Sequence, residues 1–257
     1  MFDEPETSLS GSPVYRYGKP VDWEYGEPTA FAEAIEAHVE KYIGPVKTVF
    51  HEVLSNQVHV DVLSVEPTDG RPFWTFVSCG MSARPMQLPD AAIGQATPFA
   101  EVVISLPADW QFSSGAGEIL GNHQGDYPIS LLRYAAHFPH NYSTWLGAGH
   151  TIPNGDPPQP LSERTAMCGI MLTPVLGAAQ EFNRLIYQGG QEISFLGVIP
   201  LYNDELDLKL RIGADELYAL FDANGVSELY KESRPSVVSR SSNKFPASLF
   251  GLGCGLI

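Results

Sequence analysis

The stretch from Arg71 to Trp110 constrains the fold more than any other part of the chain. Phe73 to Cys79 is rich in aromatic and β-branched residues and stops at Gly80, the pattern of a buried strand running into a turn. Ala100 to Leu106 has the same character and is stopped by Pro107. Between them, Gly80, Pro85, Pro89, Gly94 and Pro98 restrict the backbone of a long loop. Ordering a stiff loop between two core strands is costly unless it is used, so it is the first place to seek a binding surface.

The flanking segments supply a sheet and the helices that cover it. Ala30 to Ile43 carries Phe31, Ile35, Val39 and Tyr42 at helical spacing, with Thr29 as N-cap and Gly44-Pro45 as the stop. Thr48 to Leu54 and Val58 to Val65 read as strands joined at Ser55-Asn56-Gln57. In the second, Val58, Val60 and Val62 share one face while His59, Asp61 and Leu63 share the other. Such short connections imply antiparallel pairing, because parallel neighbours need longer crossovers.

Further along, Pro128 fits the first turn of a second helix whose apolar side is Leu131, Leu132, Ala135, Ala136 and Phe138, and which Pro139 ends. Met167 to Val175 and Glu192 to Leu201 read as strands. Leu201 to Gly213 fits either a strand, from its alternating leucines, or a helix starting at Asn203. Ala214 to Phe221 is helical and stops at Asn224-Gly225. The fold class is therefore α+β, a mixed, largely antiparallel sheet flanked by helices. Residues 1–29 form a lead-in, 30–225 the domain, and 226–257, rich in Ser, Arg and Lys, a flexible tail.

Thirty acidic against fifteen basic side chains give a formal net charge of −15. That disfavours nucleic acid and anionic membranes, which need Lys and Arg, and suits a basic protein partner. Cysteines at 79, 168 and 254 form neither a disulfide framework nor a zinc knuckle. The acidic N-terminus has no apolar signal region and no run approaches a membrane span, so a cytoplasmic location is expected.

Enzyme signatures are weak. Gly80-Met81-Ser82-Ala83 lacks the second glycine of a nucleophile elbow, and Gly147-Ala148-Gly149 lacks the third glycine of a nucleotide loop. The competing reading is a metal-dependent hydrolase. His51, His59 and Asp61 could converge on neighbouring strands, with His137, His140 and His150 as a second group. No HExxH motif occurs, so His59, Asp61, His150 and Thr151 read as a polar structural or site cluster, with no metal and no cofactor expected. An oligomerisation module is the third reading.

Several segments, in order, resemble one family. They are Val58 to Leu63, Ser78 to Ala83, Leu106 to Trp110, Trp145 to Ile152, and Ile193 to Tyr202 followed by Asp204-Glu205. Together they are similar to the bacterial branch of the Suppressor of fused domain, over about Ala30 to Gly225. The resemblance implies a single mixed α+β domain that binds proteins and has no established catalytic activity. The animal member has a further C-terminal domain and holds a transcription-factor peptide as an added strand in the cleft between its two domains. The tail after Gly225 is too short for that second domain. Bacterial relatives include immunity proteins that neutralise polymorphic toxins. The expectation is thus a non-enzymatic protein that binds a basic toxin or an extended peptide stoichiometrically. Met81, Arg84, Met86 and Asp90 on the long loop, with Trp110 at its edge, are the expected partner-binding residues.

Overall fold

The computed structural model describes residues 5–26, 28–112 and 127–238. A two-stranded ribbon, β1 (Glu6–Thr7) and β2 (Pro13–Val14), comes first, followed by helix α1 (Ala32–Tyr42). Four consecutive strands, β3 (Val46–Phe50), β4 (Asp61–Val65), β5 (Phe73–Cys79) and β6 (Phe99–Pro107), then pair antiparallel in chain order. Helix α2 (Tyr127–Asn141) precedes β7 (Thr151–Pro153), β8 (Gly169–Pro174), β9 (Arg184–Ile186) and β10 (Glu192–Leu201). Two helices end the series, α3 (Asn203–Ile212) and α4 (Ala214–Asn224).

The sheet order is β3-β4-β5-β6-β10-β8-β7, with β9 beside β10. Among the described strands, only the β6–β10 pair is parallel, with Ile193 opposite Phe99. Strand alternation sends successive residues to opposite faces, and both faces are covered. Val62, Phe76, Val102 and Leu172 face α2 with Leu132 and Ala136. Leu63, Val77, Val103 and Phe195 face α1 with Ile35 and Val39. Ile199, Leu201 and Met171 meet Leu206, Leu217 and Phe221 of α3 and α4. Central strands buried on both faces explain why β5, β6 and β10 read as continuous apolar runs. The expected α+β class, a largely antiparallel sheet with flanking helices, is the one observed.

Some local expectations change. Thr29 does not occupy the cap position of α1, which falls to Phe31 without a side-chain cap; the Thr29 hydroxyl accepts the Phe31 N–H at 3.2 Å instead. Pro139 lies inside the last turn of α2, two residues before its end. Proline there forfeits one donor, but the turn continues because the Pro139 carbonyl still accepts the Thr144 N–H at 2.8 Å. Leu201 to Gly213 resolves into the end of β10 and α3, where Glu205 Oε2 reaches back to accept the Tyr202 N–H at 3.0 Å.

The stretch from Val226 to Val238, expected to be loose, is packed. Tyr230 is 2% exposed, and the Leu229 segment bridges to Ser105 of β6. The Arg234 guanidinium clamps the fully buried Glu205 through Nη1–Oε1 at 2.6 Å and Nη2–Oε2 at 2.7 Å. The basic residue that suggested a solvated tail is an anchor. Residues 239–257, the remainder of that expectation, lie outside the described residues.

Candidate functional site

The strand expected over Thr48 to Leu54 ends at Phe50, and carboxylates replace the ladder beyond it. Glu52 N–H donates to Asp61 Oδ1 at 3.1 Å, and Val60 N–H donates to Glu52 Oε2 at 3.0 Å. Freed from the sheet, Val53 and Leu54 turn outward, 83% and 84% exposed. Segment 22–26 of the lead-in runs alongside. Gln57 N–H donates to Glu24 O at 2.8 Å, Gly26 N–H to Ser55 O at 3.4 Å, and Tyr25 bridges Asn56. The approach is close: a Cβ on Gly26 would meet the Val58 carbonyl carbon at 2.4 Å.

This ribbon holds its shape without burying its rings. Gln57 takes a left-handed φ of 65° and its amide donates to Asp22 O at 2.9 Å. Arg84, from the long loop, donates to Glu24 Oε2 at 2.9 Å and to Gln57 Oε1 at 3.2 Å. The Arg84 hydrogen bond, helped by its charge, holds the Glu24 carboxyl below its usual range. Trp23 and Tyr25 remain 65% and 67% exposed, their rings edge-to-face at 6.5 Å. Four large apolar side chains thus stand in water on a backbone pinned by polar bonds. Such clustered exposure marks interaction surfaces, whereas scattered single apolar residues do not.

Beside the ribbon lies a polar cluster. His59 Nε2 faces Asp61 Oδ1 at 2.9 Å, and His51 Nδ1 faces Asp61 Oδ2 at 3.0 Å. Ser55 Oγ meets His59 Nδ1 at 2.6 Å. Next to them His137 Nε2 meets Glu52 Oε1 at 2.8 Å. Burial alone would raise the Glu52 pKa, but His137 and the Val60 amide together leave it lowered. Among the described residues, His51, His59 and Asp61 form the one group of three metal-type donors close enough to share an ion.

The structure scatters the remaining expected residues. Met81 and Met86 are 0% and 4% exposed, packed in the α2-side core, so neither is available to a partner. The loop can fold inward because Gly80, at φ 146°, lets its backbone pass close to the chain just before β4; a Cβ there would meet His59 O at 1.9 Å. Asp90 is exposed on a one-turn 3₁₀ helix, Asp90–Ala92, next to the exposed Ile93. Trp110 lies at the other end of the strands, since Pro107 pairs with Phe73. That is about 20 Å from Gly80 along a seven-residue strand. There it packs on Tyr230 at 5.6 Å, under the Arg164 guanidinium at 5.3 Å. Trp110 is therefore not at the edge of the Arg84 surface.

The polar cluster also divides. His59 and Asp61 come together, joined by His51. His150 and Thr151 sit by β7, five strand positions from β4 in the sheet order. His150 is packed against Trp145 at 4.4 Å, and burial, helped by the Lys209 charge, pulls its pKa down to about 4.

Sequence reasoning missed the ribbon and the Glu52–His137 pair. One signal was available: Val53-Leu54 directly before a Ser-Asn-Gln turn is apolar sequence with no element behind it to bury it.

Comparison with known proteins fits this geometry. A search of curated protein sequences gave no significant match. The fold is similar to a putative Suppressor of fused homolog from Neisseria gonorrhoeae, with TM-score 0.53 and 19% identity over 80% of this chain and 96% of that one. It is also similar to a chain in the crystal structure of the Sufu–Fu complex, with TM-score 0.58 and 15% identity over 90% of this chain and 100% of that one. Drosophila Suppressor of Fused matches with TM-score 0.50 and 13% identity, over 72% of this chain and 44% of its own length. The family model for Suppressor of fused protein matches residues 56–235, which includes the packed segment after Gly225. The chain belongs to the Suppressor of fused family.

Proposed function

We propose that this protein acts by stoichiometric protein binding, as an immunity- or antitoxin-type protein that covers the working surface of a basic toxin. The observation that carries this is the ribbon of Trp23, Tyr25, Val53 and Leu54, exposed and preformed beside Arg84. Large apolar and aromatic anchors on a rigid frame lose little freedom on docking, which is how such residues come to dominate binding energy. The formal charge of −15 adds long-range attraction for a basic surface and speeds encounter. A Suppressor of fused-type chain in a solved protein complex, that of Sufu with Fu, supports protein binding as the general mode. Turnover plays no part in this reading; the partner is occluded.

The test is affinity capture from the native host's lysate at low salt, comparing the natural chain with W23A/L54D. Both substituted residues are exposed, so the unfolding free energy should change by no more than about 1 kcal/mol in the double variant. The expected result is a basic protein held one-to-one by the natural chain, released by salt, and lost with the variant. A partner captured equally by both chains would remove the ribbon from the interface. An acidic partner insensitive to salt would remove the electrostatic argument.

A further inference from the structure

We propose that His51, His59 and Asp61 form a binding site for a divalent transition-metal ion of the zinc type. One ligand atom from each lies within 4.8 Å of the other two. The two imidazole nitrogens approach different oxygens of the same carboxylate, at 3.0 Å for His51 and 2.9 Å for His59. Ligands about 2.0–2.1 Å from a tetrahedral ion stand about 3.3 Å apart, so the two His–Asp contacts would open slightly and the imidazole nitrogens, within 4.8 Å of each other, would settle to the same spacing. Two imidazoles and a carboxylate suit zinc, nickel or copper; calcium and magnesium prefer all-oxygen cages.

The surroundings already orient the donors. Ser55 Oγ at 2.6 Å fixes the His59 ring through Nδ1, leaving Nε2 for the ion. The Glu52 amide holds Asp61 Oδ1 at 3.1 Å and sets the carboxylate plane. His59 and Asp61 are rigidly placed, with side chains 20% and 21% exposed. His51, at 73%, is the outer ligand and leaves the site open to solvent. An ion would replace the hydrogen bonds that now hold the trio together, each imidazole offering its unprotonated nitrogen. Three protein donors with an open side make an exchangeable site, unlike the closed four-ligand sites that carry folds. This inference is independent of the partner-binding reading, since it needs only this chain and an ion.

The experiment is equilibrium dialysis of the chelator-treated full chain against zinc chloride, with metal counted per chain, followed by cobalt(II) loading and visible spectroscopy. The expected result is one zinc per chain and a cobalt spectrum without the sulfur charge-transfer band of a thiolate ligand. H51A and D61N should each weaken zinc binding by about tenfold or more, the scale on which even an outer-shell partner matters. H51A changes an exposed side chain, and its unfolding curve shows directly that the fold is kept. No stoichiometric zinc would overturn the proposal. So would a cobalt–thiolate spectrum, or zinc affinity unchanged in H51A and D61N.

Discussion

Replacing Glu101 by alanine removes the acceptor that holds the long loop against the sheet. Glu101 is fully buried on β6. Its Oε1 accepts from Gly80 N–H at 3.0 Å, Ser82 N–H at 3.1 Å and Ser82 Oγ at 2.6 Å, while Oε2 accepts from Ser78 Oγ at 2.5 Å. Alanine leaves the donors around Oε1 buried without a partner, at about 1–3 kcal/mol each. Partial relaxation brings the expected loss to about 4 kcal/mol, a large share of the roughly 5–15 kcal/mol that holds a domain together. Glutamine differs sharply. Its carbonyl can keep the Oε1 partners, and its amide can donate to Ser78 Oγ, which already accepts the Val102 N–H at 2.8 Å. The expected loss for E101Q is about 1 kcal/mol or less.

The same pair tests the charge. Burial raises the Glu101 pKa above 4.5, outweighing the donors that lower it. The native state therefore holds this proton more tightly than the unfolded chain does. Its stabilising effect is complete below pH 4.5 and is lost as pH rises through the folded pKa. Glutamine does not titrate, so the natural chain should lose ground to E101Q as pH rises. Urea unfolding followed by tryptophan fluorescence across pH 4–8 reads both effects, at a resolution of about 1 kcal/mol. The reasoning fails if E101Q costs as much as E101A, if E101A costs under about 1 kcal/mol, or if the natural chain gains on E101Q with pH.

Other expectations follow from the same geometry. His140, 9% exposed and donating to Met81 O at 2.7 Å, has its pKa pulled by burial to about 4. It stays neutral when folded and protonates when unfolded, so stability present above pH 6.5 is lost toward pH 4, by about 3 kcal/mol. H140Q should flatten that slope in urea midpoints measured at pH 7 and 4.5. R234A strands the buried Glu205 and should cost about 3–5 kcal/mol, with faster tryptic cleavage at Lys231. Burial raises the thiol pKa values of Cys79 and Cys168. On a C254S background, both should resist a thiol-disulfide reagent in the folded chain and react in urea.

Legibility followed the strength of each local signal. β5, β10 and the Gly225 stop of α4 were readable to the residue, because apolar runs and turn glycines carry their own explanation. Met81 and Met86 misled because a loop rich in proline and glycine suggests exposure. What buries this loop is Glu101, a charged residue in an apolar strand nineteen positions from Ser82. Trp110 was grouped with Arg84 by sequence proximity, and antiparallel register put them at opposite strand ends. Arg234 read as part of a solvated tail, since no local pattern reveals that Glu205 awaits it. His51 stands beside His59 and Asp61 because the turn at 55–57 brings it back toward them, whereas His150 and Thr151, grouped with them from sequence, sit by β7. Local chemistry was legible, while long-range polar pairing was not.

The parallel ladder between β6 and β10 has a consequence for how the chain is made. Its partners, Phe99 and Ile193, are separated by 94 residues. The β3–β6 meander pairs only strands that are neighbours in sequence and can form early, on a growing chain. Until residue 201 is available, that meander ends in the open edge of β6, and β8 has no strand on the side that β10 fills. Both edges are then templates for the wrong neighbour. A nascent chain arrested before Glu192 should therefore be the form most in need of a chaperone. One late strand, β10, commits the whole molecule.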